Sequence, residues 1–119
     1  MSKKHKKILI VEHLTERISF FIEKFGDHYL DITENYRDAI FYLLTNNYDY
    51  IFLGGEFRSG DGSGCDVAEF LKAHPKNLNN HASIFVHSWN VVEVESICKL
   101  LPYATYKPFN EAVYGTLSL

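Results

Sequence analysis

The fold is decided by one stretch, Tyr48-Asp49-Tyr50-Ile51-Phe52-Leu53-Gly54-Gly55-Glu56-Phe57, which the glycine-rich run Gly60-Asp61-Gly62-Ser63-Gly64 follows closely. Its apolar half predicts a strand over residues 48–53 that is buried on both faces, as in a parallel sheet. The two glycines and the acid behind it predict that the strand ends in a polar loop. Open α/β folds place their ligand sites at the carboxyl ends of such strands. We therefore expect the functional site at that edge of the sheet.

Four other segments predict further strands. Residues 8–11 and 82–86 are continuous apolar runs like the central one, whereas residues 29–33 alternate and residues 103–106 are short. A strand order of 2-1-3-4-5 places the three most apolar strands in the middle and leaves the other two at the edges. The sequence therefore predicts a five-stranded parallel sheet in this order.

Helical periodicity separates these strands. The predicted N-terminal caps are Asn35, Ser63 and Asn90, and the predicted helix ends lie at Gly26, Asn46, His74-Pro75 and Pro102. A last segment, residues 110–119, predicts a short helix. The order βαβαβαβαβ with short connections predicts an α/β, flavodoxin-like three-layer sandwich with helices on both faces of the sheet.

Size and charge limit the possible functions. With 119 residues, of which 46% are hydrophobic, residues 1–119 form a single domain with a full core. Twelve basic and 15 acidic residues give a net charge of -3, so we expect no general nucleic-acid binding. The basic run at residues 3–7 predicts a flexible tail over residues 1–7.

The apolar runs and the cysteines predict the cellular compartment of the protein. The apolar runs are too short to span a membrane. Cys65 and Cys98 lie far apart and lack a metal-ligand spacing. They predict reduced thiols in a cytoplasmic protein.

Polar residues follow several of the predicted strands, and the strand order brings them to one edge: Glu12, Glu56, Asp61, His87 and Lys107. His87 and Ser88 come directly after a mostly apolar strand, which packing alone explains poorly, so they are site candidates. Glu12 and Glu56 are candidate ligands of a divalent metal ion, although either could instead accept hydrogen bonds from loop amides. Gly62 and Gly64 could offer backbone amides to a phosphate in an anion-binding turn.

Residues 7–11, 48–53 and 84–88, together with Lys107-Pro108-Phe109, resemble the receiver domain of bacterial response regulators. The resemblance implies acids after the first strand that hold Mg²⁺, a phosphate-accepting aspartate after the third, a hydroxyl after the fourth and a lysine after the fifth. Glu12, Ser88 and Lys107 match these positions. Lys107 could alternatively pair with Glu12 or Glu56. Gly54 stands at the phosphoacceptor position, and His13, Trp89 and Ala104 also depart from the pattern.

A narrower resemblance is to the cyclic-phosphate processing receiver group, which typically shows Asp-His-Asp after the third strand and His-Ser-x-Asn after the fourth. His87, Ser88 and Asn90 match directly, Glu56 matches the last acid, and Gly54-Gly55 replace the leading pair. This resemblance implies processing of cyclic phosphates on nucleotides or RNA ends. His87 would then be the general acid or base, and Ser88 and Lys107 would stabilise phosphate charge.

Two hypotheses follow. The first is a pseudo-receiver, a signalling or regulatory module without a phosphoacceptor that acts by binding a protein partner. The alternative is a phosphodiesterase-type hydrolase with His87, Ser88 and Glu56 as catalytic residues and a cyclic nucleotide or another phosphate compound as ligand. No cofactor is certain under either hypothesis, and a divalent metal ion at Glu12 and Glu56 remains open.

Overall fold

Strands and helices alternate along the chain in a computed structural model, which describes residues 5–54, 64–74, 79, 81–88 and 90–108. The strands are β1 Lys7–Val11, β2 Tyr29–Thr33, β3 Tyr50–Leu53, β4 Ser83–Val86 and β5 Thr105–Tyr106. The helices are α1 Thr15–Phe25, α2 Tyr36–Thr45, α3 Gly64–Ala73 and α4 Val91–Leu100. The five strands form one parallel sheet in the order β2-β1-β3-β4-β5, which confirms the predicted flavodoxin-like topology.

The register of the sheet aligns the carboxyl ends of its central strands. Val11 pairs with Leu53, and Leu53 pairs with Val86. The backbone ladder continues one residue further, because the Gly54 amide donates to the Val11 carbonyl at 2.8 Å and the His87 amide donates to the Leu53 carbonyl at 3.0 Å. The residues that follow β1, β3 and β4 are therefore neighbours, as the strand order predicts.

Alternating strand residues fill two cores, one on each face of the sheet. On one face, Leu9, Ile51 and Ile84 pack in a cluster that includes Leu43 of α2, Val67 of α3 and Ile97 of α4. On the other face, Ile8, Ile10 and Phe52 pack with Phe21 and Phe25 of α1. Each fully buried side chain of this kind stabilises the fold by about 1.5–3 kcal/mol. The three layers of the predicted sandwich are thus helix, sheet and helix.

Side-chain caps begin two helices as predicted. The Asn35 side chain accepts from the Asp38 amide at 2.8 Å, and the Asn90 side chain accepts from the Glu93 amide at 3.2 Å. The ends expected at Gly26 and Asn46 are also observed, and Gly26 has an ordinary right-handed φ of -64°. The cap predicted at Ser63 lies outside the described residues.

Four strand starts differ from prediction, and one of them is β4, which starts at Ser83 rather than at Ala82. Lys7, assigned to the tail, opens β1, since its amide donates to Asp49 Oδ2 at 2.9 Å and its Nζ donates to Asn46 Oδ1 at 2.6 Å. β3 starts at Tyr50 rather than at Tyr48, whose amide donates to the Asn79 side chain at 2.6 Å. β5 starts at Thr105, because residues 102–103 form a turn after α4. The helix predicted over residues 110–119 lies outside the described residues.

No helix in the described part of the chain has the length and apolar character needed to cross a membrane.

Candidate functional site

A buried histidine and a buried glutamate meet at the carboxyl edge of the sheet. His87 Nε2 lies 2.9 Å from Glu12 Oε1, although the two residues are 75 positions apart in the sequence. Their side chains are 0% and 3% exposed, respectively. Glu12 follows β1 and His87 follows β4. Gly54, which follows the intervening strand β3, lies directly beside the pair.

The Glu12 carboxylate also holds the start of α1. Its Oε2 accepts from the backbone amides of His13 at 2.9 Å and Leu14 at 3.0 Å. Arg17 in the first turns of α1 donates to Oε1 through Nη1 at 3.4 Å. Both carboxylate oxygens are therefore engaged by the protein itself.

These contacts keep Glu12 ionised. Burial alone would raise the pKa of its carboxyl group, but the hydrogen bonds from His87 and the Leu14 amide and the charge of the Arg17 guanidinium outweigh burial and lower that pKa from 4.5 to about 2. Glu12 is thus a carboxylate throughout the physiological range of pH.

His87 is held as a neutral imidazole. Burial lowers its pKa, and the nearby Arg17 charge acts in the same direction, against the opposing effect of Glu12. Because an ionised carboxylate only accepts hydrogen bonds, the proton of the neutral ring must be on Nε2. The Nδ1 atom is buried and makes no hydrogen bond within the described ranges. Phe21 packs edge-on against the ring, with centroids 5.0 Å apart.

Gly54 lies close to this pair. A Cβ atom on Gly54 would be 2.8 Å from the Val11 carbonyl oxygen, 3.1 Å from His87 Nε2 and 3.5 Å from Glu12 Oε1. The imidazole therefore borders directly on the space that a side chain at position 54 would need.

The described donors do not fit Mg²⁺, the ion that the receiver resemblance implies. Glu12 is the only predicted ligand among them, and its oxygens accept from two amides, a guanidinium and an imidazole. Mg²⁺ prefers several free oxygen ligands, and Gly54 contributes no carboxylate. No cluster of three or more His, Cys, Asp or Glu side chains suited to a metal occurs where the structure is described. The other predicted ligand, Glu56, lies outside those residues.

Three of the predicted phosphate-binding residues lie within the described part of the chain. Ser88 Oγ is buried and accepts from the Asn90 amide at 3.0 Å. The Lys107 amide donates to the Val86 carbonyl at 2.8 Å, which places Lys107 at the same edge, but no ion pair joins it to Glu12. Gly64 is buried, with Gly54 O so close that no Cβ would fit.

Two residues that the sequence reasoning missed take part in this edge. Arg17 neutralises part of the Glu12 charge, and its position in the first turns of α1, five residues after an acid, was the available signal. Glu93 of α4 accepts from the Cys65 amide at 3.3 Å and so places a carboxylate at the start of α3.

The structure thus brings together Glu12 and His87, with Ser88 and Lys107 at the same edge. The remaining predicted site residues, Glu56, Asp61 and Gly62, fall outside the described residues, as do Gly55 and Trp89.

Solved structures similar to this one include response regulators. The phosphorylated cyanobacterial phytochrome response regulator RcpA is 20% identical, with a TM-score of 0.74, and the match covers 98% of this chain and 99% of that one. A CheY-like receiver domain from Methylobacillus flagellatus is 22% identical, with a TM-score of 0.71 and 93% of each chain covered. TrrA from Thermotoga maritima, solved in complex with Mg²⁺-BeF, is 21% identical, with a TM-score of 0.69, and the match covers 89% of this chain and 90% of that one. At these identities the likeness shows the fold alone.

Sequence comparison finds no relative among curated proteins. The family model of the cyclic-phosphate processing receiver domain, however, matches residues 9–102. This range includes Glu12, Gly54 and His87 and spans well over half of the chain. The chain therefore belongs to the cyclic-phosphate processing receiver domain family.

Proposed function

We propose that this chain is a regulatory receiver domain that takes no phosphoryl group at position 54 and acts by binding a protein partner. The observation that carries the proposal is the buried Glu12–His87 hydrogen bond of 2.9 Å. It occupies the carboxylate that a metal ion would need.

Aspartyl phosphorylation needs two things that the described site does not provide. The first is a nucleophilic carboxylate, which Gly54 lacks. The second is a metal ion that neutralises the charge of the transferred phosphoryl group. Arg17 and the amides at the start of α1 already neutralise Glu12. Since the loss of a required group costs orders of magnitude in rate, we expect no conventional phosphorelay chemistry.

Exposed apolar side chains on α4, on β5 and in the turn between them support a protein partner. Val91 and Val92 begin α4, and Tyr103 and Tyr106 lie before and within β5; the four are between 41% and 72% exposed. Large exposed apolar side chains of this kind can contribute to protein-binding surfaces.

A phosphodonor experiment tests this function. The protein is incubated with acetyl phosphate and Mg²⁺, and its intact mass is measured beside that of a receiver that has the acceptor aspartate. We expect the control to gain one phosphate and this chain to gain none. An acid-labile adduct on this chain would contradict the proposal.

Family membership favours a second candidate, the processing of cyclic phosphates. A neutral imidazole whose Nε2 proton is held by a carboxylate is a suitable general base through its other nitrogen. We place this candidate second because His87 is fully buried and a substrate must reach it.

Turnover of 2′,3′-cyclic nucleotides tests the second candidate. A phosphodiesterase activity that His87→Ala abolishes and His74→Ala preserves would establish it, since His74 is exposed on the end of α3. If no member of the panel is bound or hydrolysed, this candidate is excluded.

A further inference from the structure

We propose that Gly54 is a positioning residue: the missing side chain at position 54 is what allows His87 to donate its Nε2 proton to Glu12. The inference rests on the proposed function, because it explains why the Glu12–His87 pair occupies the position at which a receiver would bind a metal ion and a phosphoryl group. Gly54 then has a structural role of its own, whereas the sequence alone indicates only that an acceptor side chain is missing at this position.

The demand for glycine at this position is one of space. Its φ lies outside the left-handed region, so backbone conformation does not require glycine. A Cβ would instead come within 2.8 Å of the Val11 carbonyl oxygen and 3.1 Å of His87 Nε2. Two atoms on different strands therefore border the same small volume.

Of these two neighbours, the imidazole is the one able to move. The Val11 carbonyl accepts from the Gly54 amide at 2.8 Å, so the ladder between β1 and β3 holds both backbones in place. His87 is fixed by one side-chain hydrogen bond and by packing against Phe21 and Phe52. Since a hydrogen bond weakens quickly as it lengthens, even a small displacement of the ring from Glu12 removes much of its benefit.

The residue after His87 takes part in the start of α4. The next residue, Ser88, accepts from the Asn90 amide at 3.0 Å, and the Asn90 side chain caps α4 by accepting from Glu93. Glu93 in turn accepts from the Cys65 amide at the start of α3. The backbone that follows His87 thus belongs to a set of contacts that begins α3 and α4.

The test uses Gly54→Ala, the smallest possible addition, with Gly26→Ala as the matched control. A Cβ on Gly26 also meets a backbone oxygen, that of Ile22, but at the end of α1 and with no His87 atom close by. The ring nitrogens of His87 are followed by ¹⁵N NMR. We expect an Nε2–H tautomer in the wild type, changed nitrogen shifts in Gly54→Ala, and wild-type shifts in Gly26→Ala.

A double-mutant cycle with His87→Ala provides the second readout. Gly54→Ala should change the unfolding equilibrium constant by a certain factor in the wild type. In the His87→Ala background we expect that factor to be smaller by on the order of 10-fold, because the added Cβ no longer meets the imidazole and meets only the Val11 carbonyl. If Gly54→Ala alone does not fold, the double variant should fold.

Unchanged His87 shifts in Gly54→Ala, or equal costs in both backgrounds, would overturn the proposal. So would a double variant that stays unfolded while His87→Ala folds. These outcomes are separate from the phosphodonor result: an adduct on the wild type refutes the proposed function and leaves the Gly54–His87 coupling standing.

Discussion

Replacing Glu12 by glutamine should destabilise this domain strongly, although the two side chains have nearly the same shape. The carboxylate accepts from His87, Arg17 and two backbone amides. A glutamine side chain has one oxygen and an NH₂ group that only donates. Whichever way it turns, the NH₂ group faces donors, so buried hydrogen-bonding groups are left without acceptors.

The magnitude follows from the pKa of Glu12. Folding lowers this pKa from 4.5 to about 2. At about 1.4 kcal/mol for each tenfold change in proton affinity, the folded environment favours the ionised carboxylate by roughly 3 kcal/mol. Removal of one partner from a buried ion pair typically costs about 3–5 kcal/mol, which is the same size. We therefore expect Glu12→Gln to lower the free energy of unfolding by about 3 kcal/mol at pH 7.

Urea denaturation followed by circular dichroism measures this change. Glu16→Gln is the matched control, because Glu16 is an exposed acid in the first turn of α1. Its replacement should change the free energy of unfolding by less than about 0.5 kcal/mol. The reasoning is refuted if the two variants differ by less than about 1 kcal/mol, since Glu12 would then gain nothing from its buried partners.

Three further predictions concern the pH dependence and the framework of the fold. Burial lowers the pKa of His87, so at and below about pH 6.5 the unfolded chain binds a proton at this residue that the folded chain does not. The free energy of unfolding should therefore fall as the pH is lowered from 7 to 5, by at most about 1.4 kcal/mol per pH unit. Urea denaturation at each pH measures this fall, which should be smaller in His87→Gln. Asn79→Ala should cost about 2–4 kcal/mol by urea denaturation, against almost nothing for exposed Asn47→Ala, because the buried Asn79 amide accepts from the Tyr48 amide and donates to the carbonyls of Leu43 and Asn46. Asn35→Ala should cost about 1 kcal/mol in the same assay by removing the cap of α2, and Asn35→Asp should retain most of the stability.

The fold was predictable because its strands differ in kind. The runs at residues 8–11 and 51–53 are apolar at every position and buried on both faces, which is the pattern of central parallel strands. Residues 29–33 alternate, and among the described strands the one they form pairs with β1 alone. The strand order therefore follows from which segments are apolar enough to be buried on both faces, as the central strands of the sheet are.

The exact strand ends were less predictable, because local polar contacts decide them. Tyr48 continues the apolar run in the sequence, but its amide bonds to the side chain of Asn79, 31 residues later, and its hydroxyl donates to Asp31 at 2.6 Å. No pattern within a short window of sequence contains such a partner.

The sequence predicted that the candidate site residues lie at the same edge of the sheet, but it did not predict the hydrogen bond between Glu12 and His87. Parallel strand order alone places Glu12 and His87 at one edge. Whether their side chains touch depends on rotamers and on the space between them, and that space is set by Gly54 on the intervening strand.

Position 54 is therefore interpreted differently from the sequence and from the structure. In the sequence, Gly54 stands where the receiver resemblance implies a phosphate-accepting aspartate. An ionised carboxylate that is 3% exposed cannot remain unpaired without a large cost. In the structure, the imidazole of His87 lies against the space at position 54 and donates a hydrogen bond from Nε2 to Glu12, which Arg17 and two backbone amides also contact. The glycine and the histidine are then two halves of one adaptation, and neither should be replaceable without regard to the other.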